Sequence, residues 1–417
     1  MEEKKRHTKA DGLAFTALAL LIPAGCIGIG SWLMLLLPVS MVFYVYDRRQ
    51  GGMYEKSTQA IPADYAVYLI CAVELTACLF SIYRPNSIAS LLRVLLLTAF
   101  YLFIRRYIRF DSQFRLLCIG IAATAGVLSL GTLLFFAIHR AEFYSAGFTD
   151  LTYFRQYYRP WGQLSNDWAT VLLGLLPFSF IALSGSRGKR KCLFMGTALL
   201  NTVAVLASFS RGAYIALGVF FVSAVLFTFL FDRKNLKRTA ITVMAVWGIS
   251  LVCLYPEKAA VLTTCSLFKT VSQQRSIEGR LLKWKEAAHL FRLFPVTGTG
   301  GGNYALASDI YPAEREGLFT PRSTNTYLQI AAEKGIIGIV AYGFLLWCVC
   351  VAGWKRVARG DRTALFVFSA LLALGVREGT FSSFFEKDCL AVITVLLVCM
   401  LVQPVKNDVY GLFQQPE

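Results

Sequence analysis

Between Pro256 and Asn325 the chain runs through Arg280-Leu281-Leu282-Lys283-Trp284, then Gly298-Thr299-Gly300-Gly301-Gly302, then Ser323-Thr324-Asn325. It continues into Thr326-Tyr327-Leu328 and Glu333-Lys334-Gly335-Ile336-Ile337-Gly338, at the head of an apolar run. This is the one long stretch that is not apolar. On both sides the sequence returns to windows of 17 to 25 apolar residues, long enough to cross a bilayer as helices. About twelve such windows are expected, at 13–29, 31–46, 63–83, 87–104, 114–137, 168–184, 192–209, 212–231, 239–255, 327–353, 362–376 and 388–403. The first two would turn at Gly28-Ile29-Gly30-Ser31.

Composition agrees. The chain is 56% apolar and 16% charged, against about 25% charge in an ordinary soluble domain, and its mean hydropathy is +0.55. The expected fold class is an all-α integral membrane protein, one polytopic domain over residues 1–417. A small outer loop spans 139–167 and a large outer loop spans 256–325.

Orientation follows from charge. Lys4-Lys5-Arg6, Arg48-Arg49, Arg105-Arg106 with Arg109, Arg187 to Lys191, Arg233-Lys234 with Lys237-Arg238, and Lys355-Arg356 occupy every second connection. Basic short loops stay cytoplasmic, and long loops count little in that rule. Both termini are therefore expected in the cytoplasm, with the large loop outside. The net charge of +17 reads as a topology signal that also suits anionic membrane lipid; no nucleic-acid partner is expected. Leu13 onward reads as a first span because no small-residue cleavage site follows the basic start. Most of the eleven cysteines fall in spans, where Cys acts as a small apolar residue, so neither a disulfide framework nor a metal site is expected.

In the large loop, Ile277, Leu281, Trp284, Ala288 and Phe291 recur at four- and three-residue steps, which predicts an amphipathic helix over about 277–294 ending at Pro295. The glycines at 298–302 permit a tight turn and close backbone approach; the Lys-Ser/Thr ending of a nucleotide loop is lacking. The aromatic run Tyr153-Phe154-Arg155-Gln156-Tyr157-Tyr158-Arg159-Pro160-Trp161 suits the headgroup layer, or a wall for a sugar-lipid substrate. Glu74 and Arg93 lie within spans, and an ion pair between them is expected because an isolated charge there is costly. Arg211, at the start of a span, suits either a headgroup contact or a phosphate, which a guanidinium grips by paired N–H bonds.

Taken in order, Trp161-Gly162 with Asn166, Ser210-Arg211-Gly212, Arg280-x-x-x-Trp284, Pro295-x-x-Gly298-x-Gly300, Thr324-Asn325 and Glu333-x-Gly335-x-x-Gly338 resemble the O-antigen ligase and O-antigen polymerase superfamily of bacterial envelope enzymes. The resemblance covers roughly Trp161 to Gly343. It implies a GT-C-like architecture in the inner membrane and a cofactor-free, metal-independent, inverting glycosyl transfer at the outer face. The donor would be a glycan on a polyprenyl diphosphate, usually undecaprenyl. The acceptor would be a glycan or a glycolipid, and envelope polysaccharide assembly proteins would be partners. It assigns Arg211 and Arg280 to the diphosphate and Thr324 to the position of a proposed base; Asn325, Arg322, Trp284, Gly298, Gly300 and Asn166 are candidate substrate-binding residues. Fixed guanidinium groups suit a leaving group on which negative charge develops.

One residue departs from the pattern. Ligases have His-Asn where this chain has Thr324-Asn325, and a threonine hydroxyl is no base near neutral pH. His289 and Glu278 are candidate substitutes, with Glu286, Asp309, Glu314 and Glu378 as further carboxylates. The substitution favours a polysaccharide polymerase over a ligase acting on lipid A core. A small-anion or glycolipid transporter, and an inactive scaffold, are the readings from other classes.

Overall fold

Long apolar runs leave the backbone no water to bond with, so each closes its hydrogen bonds within itself as a helix. The computed structural model describes residues 61–107, 111–145, 158–162, 164–265, 271–313, 322–382 and 387–401, and among these every regular element is helical. In chain order they are α1 (Pro62–Leu79), α2 (Arg84–Tyr107), α3 (Asp111–Ser145), α4 (Ser165–Ser184), α5 (Gly188–Leu206), α6 (Arg211–Phe231) and α7 (Leu236–Cys253). Then follow α8 (Lys258–Cys265), α9 (Val271–Leu293), α10 (Tyr304–Ile310), α11 (Thr326–Ala358), α12 (Arg362–Glu378) and α13 (Lys387–Leu401).

Ten of the expected windows coincide with helices. Six helical segments among the described residues are both long and apolar enough to span a membrane: α1, Leu117–Glu142 within α3, α4, α6, Arg233–Cys253 and α11. The windows at 13–29 and 31–46, and the turn between them, lie outside the described residues. So does Glu314.

α4 sits at the centre. Almost its whole length is buried, against α3, α5, α12 and α13; at Gly174 an added Cβ would lie 2.3 Å from Val392 Cγ1 of α13, so the two helices touch where only glycine fits. α12 packs along α6 and α11, and α1 packs along α11. Opposed chain directions bring the first turns of α4, α6 and α11 to the same end of the bundle as the last turn of α12.

The large loop attaches to that bundle through a glycine joint. α11 breaks at Gly335 (φ 61°, ψ −157°), where an added Cβ would lie 2.2 Å from Val296 O, and Ile336 N donates to Pro295 O at 2.8 Å. On the loop side, Thr299 N and Gly300 N donate to the carbonyls of Ala332 and Glu333 at 3.0 and 2.9 Å. The Glu333 carboxylate accepts from Gly302 N at 3.0 Å and from Gln329 Nε2 at 3.1 Å. Asn303 Nδ2 reaches Ser81 Oγ at 2.7 Å and Ser87 Oγ at 3.1 Å, tying the joint to the α1–α2 turn.

Beside this joint lies a buried ion pair. Glu74 of α1 is paired with Lys334, and Tyr342 Oη donates to the same carboxylate at 3.2 Å. Glu74 and Lys334 are both fully enclosed. The ion pair expected with Arg93 is made with Lys334, which the sequence reading had passed over inside a span.

Candidate active site

The last turn of α12 and the residues after it form the hub of this end of the bundle. Arg377 is 1% exposed. Its Nε donates to Thr170 Oγ1 at 2.6 Å, its Nη1 to Ser210 Oγ at 3.3 Å, and its Nη2 to the carbonyl of Asn166. One guanidinium thus ties the starts of α4 and α6 to the end of α12, as a buried arginine must when its donors have no water. Gly212 lies against the same turn: an added Cβ would sit 3.2 Å from Thr380 Oγ1 and 3.4 Å from Arg377 Nη1.

Arg322 enters from the other side. It grips the buried Asp167 with both terminal nitrogens, at 3.2 and 3.3 Å, and donates to Ser382 O at 3.1 Å. Its guanidinium lies 4.7 Å from the centre of the Phe381 ring, and that of Arg377 lies 5.4 Å from it. Two cations at one aromatic ring are a favourable arrangement when partly desolvated.

Next comes the Ser323-Thr324-Asn325 turn. The Asn325 side chain caps α11 by accepting from Leu328 N at 3.1 Å, and its Nδ2 donates to Gly379 O at 3.0 Å. Thr326 Oγ1 donates to the Glu378 carboxylate, and both residues are buried. Thr324 itself has φ 60°, and its hydroxyl oxygen is enclosed with no hydrogen-bond partner among the described residues.

α9 supplies the remaining charge. It packs on α10 and α11 through Ala287 and Leu290, which lie with Tyr304, Ala307 and Ala332 in one small cluster; Tyr304 Oη donates to Lys283 O at 2.9 Å. The packed face is therefore the Lys283–Ala287–Leu290 edge, not the stripe expected from Ile277, Leu281, Trp284, Ala288 and Phe291, whose Leu281 is 48% exposed. The helix also begins earlier than expected, at Val271. Arg280 and Lys283 are one turn apart on that packed edge. Burial holds the Arg280 guanidinium below its ordinary pKa, and Arg211 nearby adds to the shift. Burial likewise lowers Lys283, and the charges of Arg322 and Arg280 lower it further. Like charges disfavour one another's ionised forms only at short range, so Arg211, Arg280, Lys283 and Arg322 share one neighbourhood. Of these, Arg322 is neutralised by Asp167. Arg211, Arg280 and Lys283 have no acidic partner among the described residues.

Backbone strain marks the same place. The non-glycine residues with positive φ among those described are Trp161 (57°), Phe209 (48°) and Thr324 (60°). Each lies in the segment leading into a helix that ends at the hub: α4, α6 and α11. A β-branched residue there is a genuine outlier, and such strain clusters at functional sites.

The sequence-derived residues divide accordingly. Arg211, Arg280, Arg322, Thr324, Asn325 and Asn166 come together, with Trp284 one turn from Arg280 and its indole Nε1 enclosed without a partner among the described residues. Gly298 and Gly300, expected at the substrate, are buried in the glycine joint, where added Cβ atoms would lie 2.2 Å from Glu333 C and 2.4 Å from Ser81 Oγ; their geometry is that of packing. His289 and Glu278 are nine and two residues from Arg280, which at about 100° per residue puts both on the far side of α9. Neither shares a face with the cations. Glu286 accepts from Ala313 N at 2.9 Å, and Asp309 is exposed on α10. Tyr158 is fully buried between Phe136, Phe209 and Ala260 rather than set at the headgroup layer. The sequence reading missed Arg377, Lys283 and Asp167. The available signal was an arginine and a glutamate at the end of an apolar run on the same side as the large loop.

Comparison with known proteins bears on this region directly. Residues 196–343, which include Arg211, Arg280, the glycine joint and the Thr324 turn, match the family model described as O-antigen ligase. Over that stretch the chain is similar to the O-antigen ligase family. No curated protein matches the sequence. With the six long apolar helices among the described residues, the O-antigen ligase match points to a multi-pass protein of the bacterial inner membrane. It supports an O-antigen ligase- or polymerase-type function, with a lipid-linked glycan donor and an acceptor in general terms.

Proposed function

We propose that this protein is an inverting, metal-independent glycosyltransferase that polymerises glycan repeat units carried on undecaprenyl diphosphate at the outer face of the membrane. The observation that supports it is the trio Arg211, Arg280 and Lys283, in one neighbourhood, desolvated, and without a carboxylate partner among the described residues. Desolvated cations lacking counter-ions call for an anion, and a diphosphate supplies one. As the anomeric C–O bond breaks, charge accumulates on the leaving diphosphate, and fixed cations stabilise that charge more than the bound donor.

Orientation of the basic loops, with both termini cytoplasmic, puts this end of the bundle outside. The loop over 256–325 then forms the catalytic region. Polymerase is preferred to ligase because Thr324 stands where ligases hold a histidine. Asn325 and Trp284 would contact the sugars, with Asn166 at the edge of the site.

The test uses purified protein in lipid with a synthetic undecaprenyl-diphosphate oligosaccharide. Wild type is expected to build a ladder of lengthening glycans. Arg280→Ala and Arg211→Ala are each expected to lower turnover by about 10²–10³-fold, the loss typical of one transition-state donor. A wild-type protein that transfers nothing from its host's own donors, yet moves them across the bilayer, would replace this reading with transport.

A further inference from the structure

Transfer to an acceptor hydroxyl releases a proton, and the histidine that would receive it in ligases is absent. The geometry points to Glu378 as the general base of this chain, an inference that rests on the glycosyltransferase reading above. Four observations place it. Its neighbour Gly379 accepts from Asn325 Nδ2 at 3.0 Å, so the carboxylate belongs to the turn that holds Thr324. Thr380, two residues on, lies against Gly212 beside Arg211. Thr326 Oγ1 donates to the carboxylate and fixes its direction. Of the buried carboxylates already described, Asp167 is held by Arg322, Glu333 by the glycine joint and Glu74 by Lys334, while Glu378 accepts from Thr326 within the Thr324 turn.

The surroundings suit a group that must gain a proton and then lose it. From α12 the neighbouring charge is Arg377; from α11 the facing groups are Thr326 and Tyr327; Ser382, in the segment after α12, lies 3.5 Å from the same Thr326 hydroxyl. Ser382 Oγ donates to Gln329 Oε1 at 2.6 Å, and Gln329 Nε2 donates to Glu333 at 3.1 Å. Arg322 and Asp167 join the same network through Ser382 O. In the step itself the acceptor oxygen forms its bond to the anomeric carbon. The bond from that carbon to the diphosphate oxygen breaks, leaving its electron pair on the diphosphate. The hydroxyl proton passes to the Glu378 carboxylate and from there to water.

The experiment measures turnover against pH for wild type, Glu378→Gln, Glu378→Asp and Arg280→Ala, in lipid with the same polyprenyl-diphosphate oligosaccharide. Glu378→Gln is expected to lower turnover by about 10²–10⁴-fold, the range for general-base help, with the donor KM within about twofold. The acidic limb of the wild-type profile, where activity is lost as pH falls through the pKa of the base, should vanish. Added formate should restore part of the rate to Glu378→Gln but not to Arg280→Ala. Glu378→Asp should keep the limb at a reduced rate. Retention of the acidic limb in Glu378→Gln overturns the inference, as does a loss that tracks lowered thermal stability and that neither formate nor aspartate relieves. If wild type and Arg280→Ala behave as proposed while Glu378→Gln is unimpaired, the base is elsewhere and the transferase reading stands. If wild type makes no product, both fall.

Discussion

Lys283 shows how a single residue can be informative without belonging to any motif. It sits on the packed edge of α9, one turn from Arg280, and its ammonium is destabilised by burial first and then by Arg322 and Arg280. Because its pKa is lowered, it surrenders its proton at a lower pH than a free lysine does. Donor affinity should therefore weaken as pH rises through that point, while a free lysine would still be charged. Lys283→Arg should hold donor affinity steady across the same range, since guanidinium stays protonated. Lys283→Met should weaken donor binding at neutral pH and remove the alkaline dependence. Titration of donor KM against pH for the three proteins checks this. The sequence singled out Arg280 and Trp284 by their spacing but could not select Lys283, because lysines on an amphipathic helix are ordinarily solvated. Only the three-dimensional proximity of Arg322, from a segment some forty residues on, distinguishes it.

At the scale of elements, the glycine joint sets where α9 and its cations sit. α11 as a whole has 33 residues and would measure about 50 Å as one helix, well beyond the roughly 30 Å of hydrocarbon it must cross. The break at Gly335 detaches its first turns, which become part of the wall that carries the large loop. Gly335→Ala places a Cβ in the left-handed region and against Val296 O, and should cost at least about 1–3 kcal/mol, read as a lowered unfolding temperature in lipid or detergent. Gly343→Ala, with open space around the added carbon, should be neutral or stabilising by about 0.5–1 kcal/mol. Helices were legible from the sequence because apolar length alone dictates them; the positions of ten windows follow from that. The face of α9 was not. Its apolar stripe is the obvious packing surface by periodicity, yet the helix packs through Ala287 and Leu290, because Tyr304, Ala307 and Ala332 offer a small-residue surface there. The hub at Arg377 was hidden for a related reason: charges at the end of an apolar run resemble an interfacial boundary, and nothing local shows that they turn inward.

For the whole molecule, the pairing of Glu74 with Lys334 joins α1 to α11 beside the point where the large loop attaches. Removing one partner leaves a buried charge without compensation, so Lys334→Met should destabilise the protein by about 3–5 kcal/mol, and Glu74→Gln combined with it should recover much of the loss. Thermal unfolding of the two single variants and the double variant forms the cycle that measures this. The same end of the bundle holds the three left-handed residues Trp161, Phe209 and Thr324. Each keeps the chain in a conformation that glycine or asparagine would adopt more comfortably. A laboratory search for heat-resistant variants would therefore be drawn to these positions, and to Thr324 first. The hardiest descendants are expected to be the least active, because stability gained at a strained site is commonly matched by lost activity. Durability and turnover would pull this lineage in opposite directions at three short turns.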